Sequence, residues 1–230
     1  MFDEDSKDVG PLAPLIPGNV AGWLALHERY GLMDLDRLLR PAIGYAESGF
    51  PATQITSFAM SEVVPRLLRF PDSAALVLGA AEKAPSPGSR IVAPALAASL
   101  KAIAAGGVDE FYRGGLARRI VQGVRDAGGL FTEEDMAGYR AEWGEPVGVD
   151  YRGYRVITTP PGSAGFQILQ ALKLMETFGE EELAYMRPDS VHLLVEAIKL
   201  AVVDRIAYGG DPDHVPVPLD ALLSEEYALA

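Results

Sequence analysis

Apolar residues along this chain recur mostly at three- and four-residue intervals, the period of an amphipathic helix, and alternate in only one stretch. Pro17-Gly18-Asn19 opens a predicted helix running to about Tyr30, with Asn19 as N-cap and Gly31 just past its end. Trp23, Leu24, Leu26 and Tyr30 are spaced to cover its core side. Asp34 is placed to cap a second helix over 35–39, and Pro41 to restart it, carrying Ile43, Tyr45 and Ala46 towards Ser48-Gly49. Residues 57–70 read as a helix kinked or divided at Pro65. The stretch 84–88, Ala-Pro-Ser-Pro-Gly, reads as a loop, after which Pro94 starts a helix ending at Gly106-Gly107. Another helix covers 111–127, with Gly114-Gly115 near its start. Thr132-Glu133-Glu134-Asp135 has the form of a capping box with Asp in place of Glu, opening a short helix to Tyr139.

The β signal follows. Val147, Val149 and Tyr151 alternate, Arg152-Gly153 makes a turn, and Tyr154, Val156 and Thr158 alternate again, which predicts a hairpin. Pro160-Pro161-Gly162-Ser163-Ala164-Gly165 then leads into a helix over 166–178 with Ile168, Leu169, Leu172 and Met175 on one face. The last long helix is expected over 190–207, with an apolar stripe of Val191, Leu194, Val195, Ile198, Ala201 and Val202. The pattern therefore predicts an α+β, predominantly helical chain with one hairpin and no internal repeat. Two strands are marginal alone, so the hairpin is expected to edge a larger sheet whose other strands lie outside these residues. Residues 1–10 are polar and are expected to be disordered or a scar of truncation, leaving 11–230 as the structured part.

Composition narrows the function classes. The chain has 230 residues, 49% of them hydrophobic, enough for a substantial core. A formal charge of −12 argues against nucleic-acid binding, because phosphate neutralisation needs basic clusters. Arg37, Arg40, Arg118 and Arg119 fall on helical patterns and read as solvated faces. The acidity also disfavours an anionic membrane surface, and no apolar run is long enough to span a bilayer. There is no cysteine, which removes disulfides, thiolate metal sites and a cysteine nucleophile together. Met1-Phe2-Asp3-Glu4-Asp5 is acidic where a signal peptide would be basic. Met1 as an internal methionine of a longer precursor would make that observation silent.

The candidate chemistry is sparse. Gly162-Ser163-Ala164-Gly165 sits between a strand and a helix but lacks the glycine two residues before serine that a nucleophile elbow needs, and the Gly-Lys-Ser/Thr of a Walker loop. A tight turn capping the helix is the leading reading, and contact with an anion or substrate the second. His27, His192 and His214 form no HExxH or His-x-His pair. Triads assemble from distant segments, so spacing alone leaves one open, but a surface or half-buried structural role is the favoured reading for each. Asp204, Asp211 and Asp213 lack the alternate donors and closing Glu of an EF-hand. Asp204-Arg205 is expected to make ion pairs, and Asp211-Pro212-Asp213 an Asx-type turn. Thr158-Thr159 is rejected as an N-terminal nucleophile, because such a threonine uses its own α-amine as general base and this pair lies mid-chain, before Pro160.

Several ordered segments carry a resemblance. They are Ile16-Pro17-Gly18-Asn19-Val20-Ala21-Gly22, Tyr30-Gly31, Pro41-Ala42-Ile43 with Gly49-Phe50, and Phe111-Tyr112-Arg113-Gly114. Then come Gly128-Gly129-Leu130-Phe131-Thr132 with Asp135 and Tyr139, Tyr151-Arg152-Gly153-Tyr154, Pro160 to Gly165, and Asp204-Arg205 with Gly210-Asp211-Pro212-Asp213. Together, over residues 11–228, the chain resembles the middle and C-terminal part of the large subunit of the γ-glutamyltranspeptidase family. It departs from the family's P-P-S-S-G-G stretch at Gly162 and Ala164.

The resemblance implies part of an αββα N-terminal-nucleophile hydrolase sandwich, built by two subunits cut from one precursor. The implied chemistry is acyl transfer from γ-glutamyl amides such as glutathione to water or an amine, by a threonine that begins the small subunit. It places that threonine beyond Ala230 and the arginine that grips the donor carboxylate upstream of the Pro17-Gly18 segment. No catalytic, cofactor-binding or metal-binding residue is therefore assigned to this chain, and no cofactor. The implied partners are the small catalytic subunit and, in the full enzyme, a γ-glutamyl small molecule. A family acylase acting on β-lactam side chains or other amides is the alternative, and a non-catalytic truncated subunit the third reading. The expected location is periplasmic or extracellular if the precursor has a signal peptide, and cytoplasmic otherwise.

Overall fold

A computed structural model of the chain describes residues 9–230. Residues 1–8 of the polar terminus lie outside the described residues; Val9 and Gly10 enter a bend in which the Ala13 amide donates to Gly10 O at 3.2 Å. The chain divides into two compact units, one up to Glu142 and one from Trp143 to Ala230.

The first unit is helical. Its α1 (Asn19–Tyr30) begins one residue earlier than a cap at Asn19 requires: Gly18 holds the cap position and Asn19 is the first helical residue. Any side chain at Gly18 would run into the Tyr139 ring, so the close approach of that ring selects glycine there. The core side of α1 is Val20, Ala21 and half-buried Leu24, whereas Trp23, Leu26 and Tyr30 are exposed. The predicted face was turned because the small Ala21 lets Tyr112 approach. The Ala21 amide donates to Tyr112 Oη at 3.1 Å, and that hydroxyl donates to Pro17 O at 2.5 Å.

Helix α2 (Leu35–Ser48) runs straight through Pro41 instead of restarting at it, and Asp34 makes no side-chain capping bond. An interior proline costs about 3 kcal/mol. Packing on both sides of it offsets that cost, with Leu39 against the core and Ile43 and Ala46 buried, while Tyr45 faces solvent. Helix α3 (Gln54–Leu67) starts before residue 57 because Thr53 Oγ1 accepts from the Thr56 amide at 3.0 Å. Pro65 falls in its last turn, and Phe70 leads into α4 (Pro71–Val77) and a 3-10 turn at Gly79–Ala81.

Two-residue strands β1 (Phe50–Pro51) and β2 (Arg90–Ile91) pair antiparallel, and the loop predicted at 84–88 leads into β2. Helix α5 (Pro94–Tyr112) breaks at Gly107, whose φ of 59° and ψ of −146° are open to glycine, but it resumes to Tyr112. The next helix, α6 (Gly115–Asp126), accordingly begins four residues later than expected. Its start is set by Glu110, whose Oε1 accepts the Leu116 amide at 3.1 Å from across the turn. In α7 (Glu133–Gly138) the capping box is complete: Thr132 Oγ1 accepts from the Asp135 amide at 3.0 Å and Asp135 Oδ2 accepts from the Thr132 amide at 2.9 Å. Val20, Ala21, Ile103, Tyr112, Leu116, Ala117, Val121 and Met136 form the core these helices share.

The second unit opens with the predicted hairpin, β3 (Val147–Tyr151) and β4 (Tyr154–Thr158), in the register Val147 to Thr158 and Tyr151 to Tyr154. Arg152 and Gly153, at φ 49° and 81°, make the two-residue turn whose left-handed pair suits the strand twist. Among the described residues the hairpin pairs with no third strand. Helix α8 (Phe166–Glu176) packs on β3 and on α9 (Pro188–Tyr208), followed by α10 (Leu219–Leu222) and α11 (Glu225–Leu229).

The apolar faces of these helices are not where periodicity put them. In α8 Leu169 and Met175 are buried as expected, but Ile168 is exposed and Gln170 is buried in its stead. In α9 only Ala197 and Ala201 of the aliphatic residues are buried, with Ser190, while Val191, Leu194, Val195 and Ile198 face solvent. On α9 the buried side chains are small, and the large ones of its expected stripe are left uncovered within this unit.

Candidate functional site

The loop between β4 and α8 is built by local chemistry. Thr158 continues the strand opposite Val147, as its alternation implies. Thr159 Oγ1 and Ser163 Oγ lie 2.6 Å apart and share a hydrogen, and Ser163 Oγ accepts from the Gly165 amide at 3.2 Å. The Ser163 amide donates back to Pro160 O at 3.3 Å, closing the turn. Gly162 takes φ 95°, and any side chain at Gly165 would collide with that of Thr158. Ser163 therefore closes the turn before the helix rather than capping an amide within its first turn. Both threonine hydroxyls are mid-chain, with no α-amine to act as base.

That loop forms one wall of a cleft of about 220 Å³. Gly162, Ser163, Ala164 and Phe166 line it from the start of α8, and Arg205, Gly209 and Gly210 from the end of α9. Beside it lies a polar cluster that joins three helices. Asp204 of α9 accepts a short hydrogen bond from Gln170 Nε2 of α8, and the Tyr227 hydroxyl of α11 stands 3.0 Å from each carboxylate oxygen. The hydrogen bond to Asp204, with burial second, raises the Tyr227 phenol above its usual pKa. Asp204 is thus hydrogen-bonded by neutral partners, not ion-paired as the sequence suggested, because Gln170 and Tyr227 reach it first. Gln170 and Tyr227 were missed in the sequence; the available signal was a glutamine embedded in the apolar run of α8.

The other candidates remain apart. Asp211 Oδ1 accepts from the Asp213 amide at 3.0 Å, the expected Asx turn. His214 Nε2 is 4.0 Å from Asp211 Oδ2 on an exposed surface. His27 Nε2 hydrogen-bonds Met33 O at 2.7 Å, closing the turn after α1. His192 lines a surface depression with Glu181, Glu182, Arg187 and Asp189. None of the three histidines hydrogen-bonds a serine or threonine hydroxyl among the described residues, so no Ser-His-Asp arrangement is assembled. Among the described residues no group of three or more His, Asp or Glu is placed to hold a metal ion, and no helix is long and apolar enough to cross a membrane.

The sequence model of the gamma-glutamyltranspeptidase family matches residues 1–230. The chain is 40% identical over 229 residues to the acylase ACY 1 proenzyme of Pseudomonas sp. (strain SE83), covering 97% of this chain and 41% of that protein. It is 36% identical over 218 residues to the glutathione hydrolase proenzyme of Escherichia coli (strain K12), covering 94% and 38%. The crystal structure of Helicobacter pylori gamma-glutamyltranspeptidase superposes with a TM-score of 0.93 at 34% identity, covering 99% of this chain and 65% of that one. The chain thus spans about two-fifths of the length of the curated relatives it matches. Its helical α+β architecture is that of part of an N-terminal-nucleophile hydrolase. The chain belongs to the γ-glutamyltranspeptidase family, as a segment of its large subunit.

Proposed function

We propose that residues 11–230 form a partial domain that serves as the scaffold of an amidohydrolase or acyltransferase acting on γ-glutamyl amides such as glutathione. In this reading a threonine of the small subunit, freed as a new N-terminus, adds its hydroxyl to the γ-amide carbonyl. The amine leaves with a proton, and water or an acceptor amine resolves the ester while restoring the hydroxyl. The partner is that small subunit, from the same precursor. No residue of this chain is given a catalytic role, and no cofactor is required. The observation that carries the reading is the match to the family over residues 1–230.

The large side chains that α9 leaves uncovered support the partner. Burying apolar surface contributes roughly 25 cal/mol per Å², so a face this apolar is stabilised by being covered. A second reading, an acylase with the same nucleophile acting on other amides, is favoured by the 40% identity to a protein named acylase.

The test is to express the full-length protein and, separately, residues 1–230, and to assay γ-glutamyl-p-nitroanilide beside a glutaryl amide. The full-length protein is expected to split the γ-glutamyl amide and the fragment neither. Turnover by the fragment would sink the scaffold role, and exclusive turnover of the glutaryl amide would favour the acylase.

A further inference from the structure

Arg205 is anomalous for a surface arginine. It is half-buried, its Nε is sealed from solvent, and that donor has no acceptor among the described residues. A buried polar donor without a partner is costly, and a charged one more so. The neighbouring carboxylate does not answer it, since Asp204 is taken up by Gln170 and Tyr227. Arg205 is also the one charged residue lining the cleft, in a chain whose formal charge is −12. The opposite wall carries the start of the eleven-residue α8, where the Phe166 amide has no acceptor among the described residues. Of the three glycines that line the cleft, Gly162 has nothing within 4 Å of where a Cβ would stand.

We propose that this cleft is a binding site for one carboxylate, which accepts hydrogen bonds from the Arg205 guanidinium and the first amide of α8. Planar guanidinium and planar carboxylate match as paired donors and acceptors, and the partial positive end of a helix adds to the attraction. One cation and one helix end suit a monoanion better than a dianionic phosphate. At about 220 Å³ the cleft takes the carboxylate end of a small molecule or a single acidic side chain, not a nucleotide. The chemistry is the same from either source, a free carboxylic acid or an Asp or Glu of polypeptide beyond these residues. This assignment is independent of the catalytic reading above.

The experiment uses full-length protein uniformly labelled with ¹⁵N. The Arg205 Nε–H resonance is identified by its loss in Arg205→Lys. Acetate and inorganic phosphate are the probes. A saturable shift with acetate, at least tenfold weaker with phosphate and absent for the Phe166 amide in Arg205→Gln, supports the site with a free acid as ligand. A resonance already protected from exchange, indifferent to acetate and moving as pH falls through the carboxylate range, supports it with a polypeptide carboxylate. A protected resonance that ignores pH has a carbonyl acceptor and overturns the proposal. So does rapid exchange with no response to either probe, or tighter binding of phosphate than acetate.

Discussion

Single residues decide where elements start and stop. Asp135 is the sharpest case, because its carboxylate accepts from both the Thr132 hydroxyl and the Thr132 amide. The side-chain bond from Thr132 is the larger cause and the backbone bond the second of a carboxyl pKa held below its ordinary value. A carboxyl whose folded pKa is depressed contributes stability above its unfolded pKa and loses it as pH falls through the folded one. Asp135→Asn is therefore expected to lower the thermal midpoint at neutral pH, with the gap from wild type closing as pH drops below the ordinary carboxylate range of about 4. Parallel melts of the two proteins at neutral and acidic pH check this, and a gap that persists in acid contradicts it. Tyr112 works by geometry instead. Its buried hydroxyl ties α5 to both the amide of Ala21 and the carbonyl of Pro17, and burial, the largest cause, raises its pKa. The ring also stacks on Tyr139, 5.5 Å between centroids and 13° from parallel.

At the scale of elements, α9 buries its small residues rather than its large ones. Ala201 is fully buried in α9, which packs on α8, while larger neighbours such as Val203 and Ile206 face solvent. Enlarging a side chain in a filled contact forces rotamer or backbone shifts costing about 1–3 kcal/mol. Ala201→Leu is expected to destabilise the full-length protein by that amount in urea unfolding, whereas Val203→Leu shifts the midpoint little. Equal effects of the two substitutions would show that the α8–α9 contact is not the tight one. Broken and continuous helices follow the same logic. Pro41 is carried through because packed residues lie on both sides of it, half-buried Leu39 before and buried Ile43 and Ala46 after, and Gly107 interrupts α5 because its backbone takes a conformation that other residues rarely adopt.

For the whole molecule, exposure is the prominent fact. Tyr154 and Ile157 on the hairpin, Ile168 on α8 and Val191, Leu194 and Ile198 on α9 are all exposed. Contiguous apolar surface and an unpaired strand edge favour association. Residues 1–230 expressed alone are expected to self-associate and bind a hydrophobic dye, and co-expression with the remainder of the protein to suppress both. Sedimentation of the isolated fragment as a non-binding, cooperatively unfolding monomer would contradict that expectation.

Local signals were enough to read part of this protein. The Thr132 box, the hairpin with its Arg152-Gly153 turn and the Asx turn at Asp211 were legible because each is closed within a few residues by its own hydrogen bonds. The family was legible too, from ordered segments spread over the chain, because shared order survives where single motifs are weak. Facing was not. Periodicity says that a helix has an apolar side, but whether Val191 or Ala197 is covered depends on what packs against it from far along the chain. The same holds for the start of α6, set by Glu110 across a turn, and for Asp204, whose partners lie 34 and 23 residues away in Gln170 and Tyr227. Arg205 belongs with these. Its sequence neighbour Asp204 suggests an ion pair, and only the tertiary arrangement, by committing Asp204 elsewhere and burying Arg205 Nε, leaves the cation facing a cleft without an acceptor of its own.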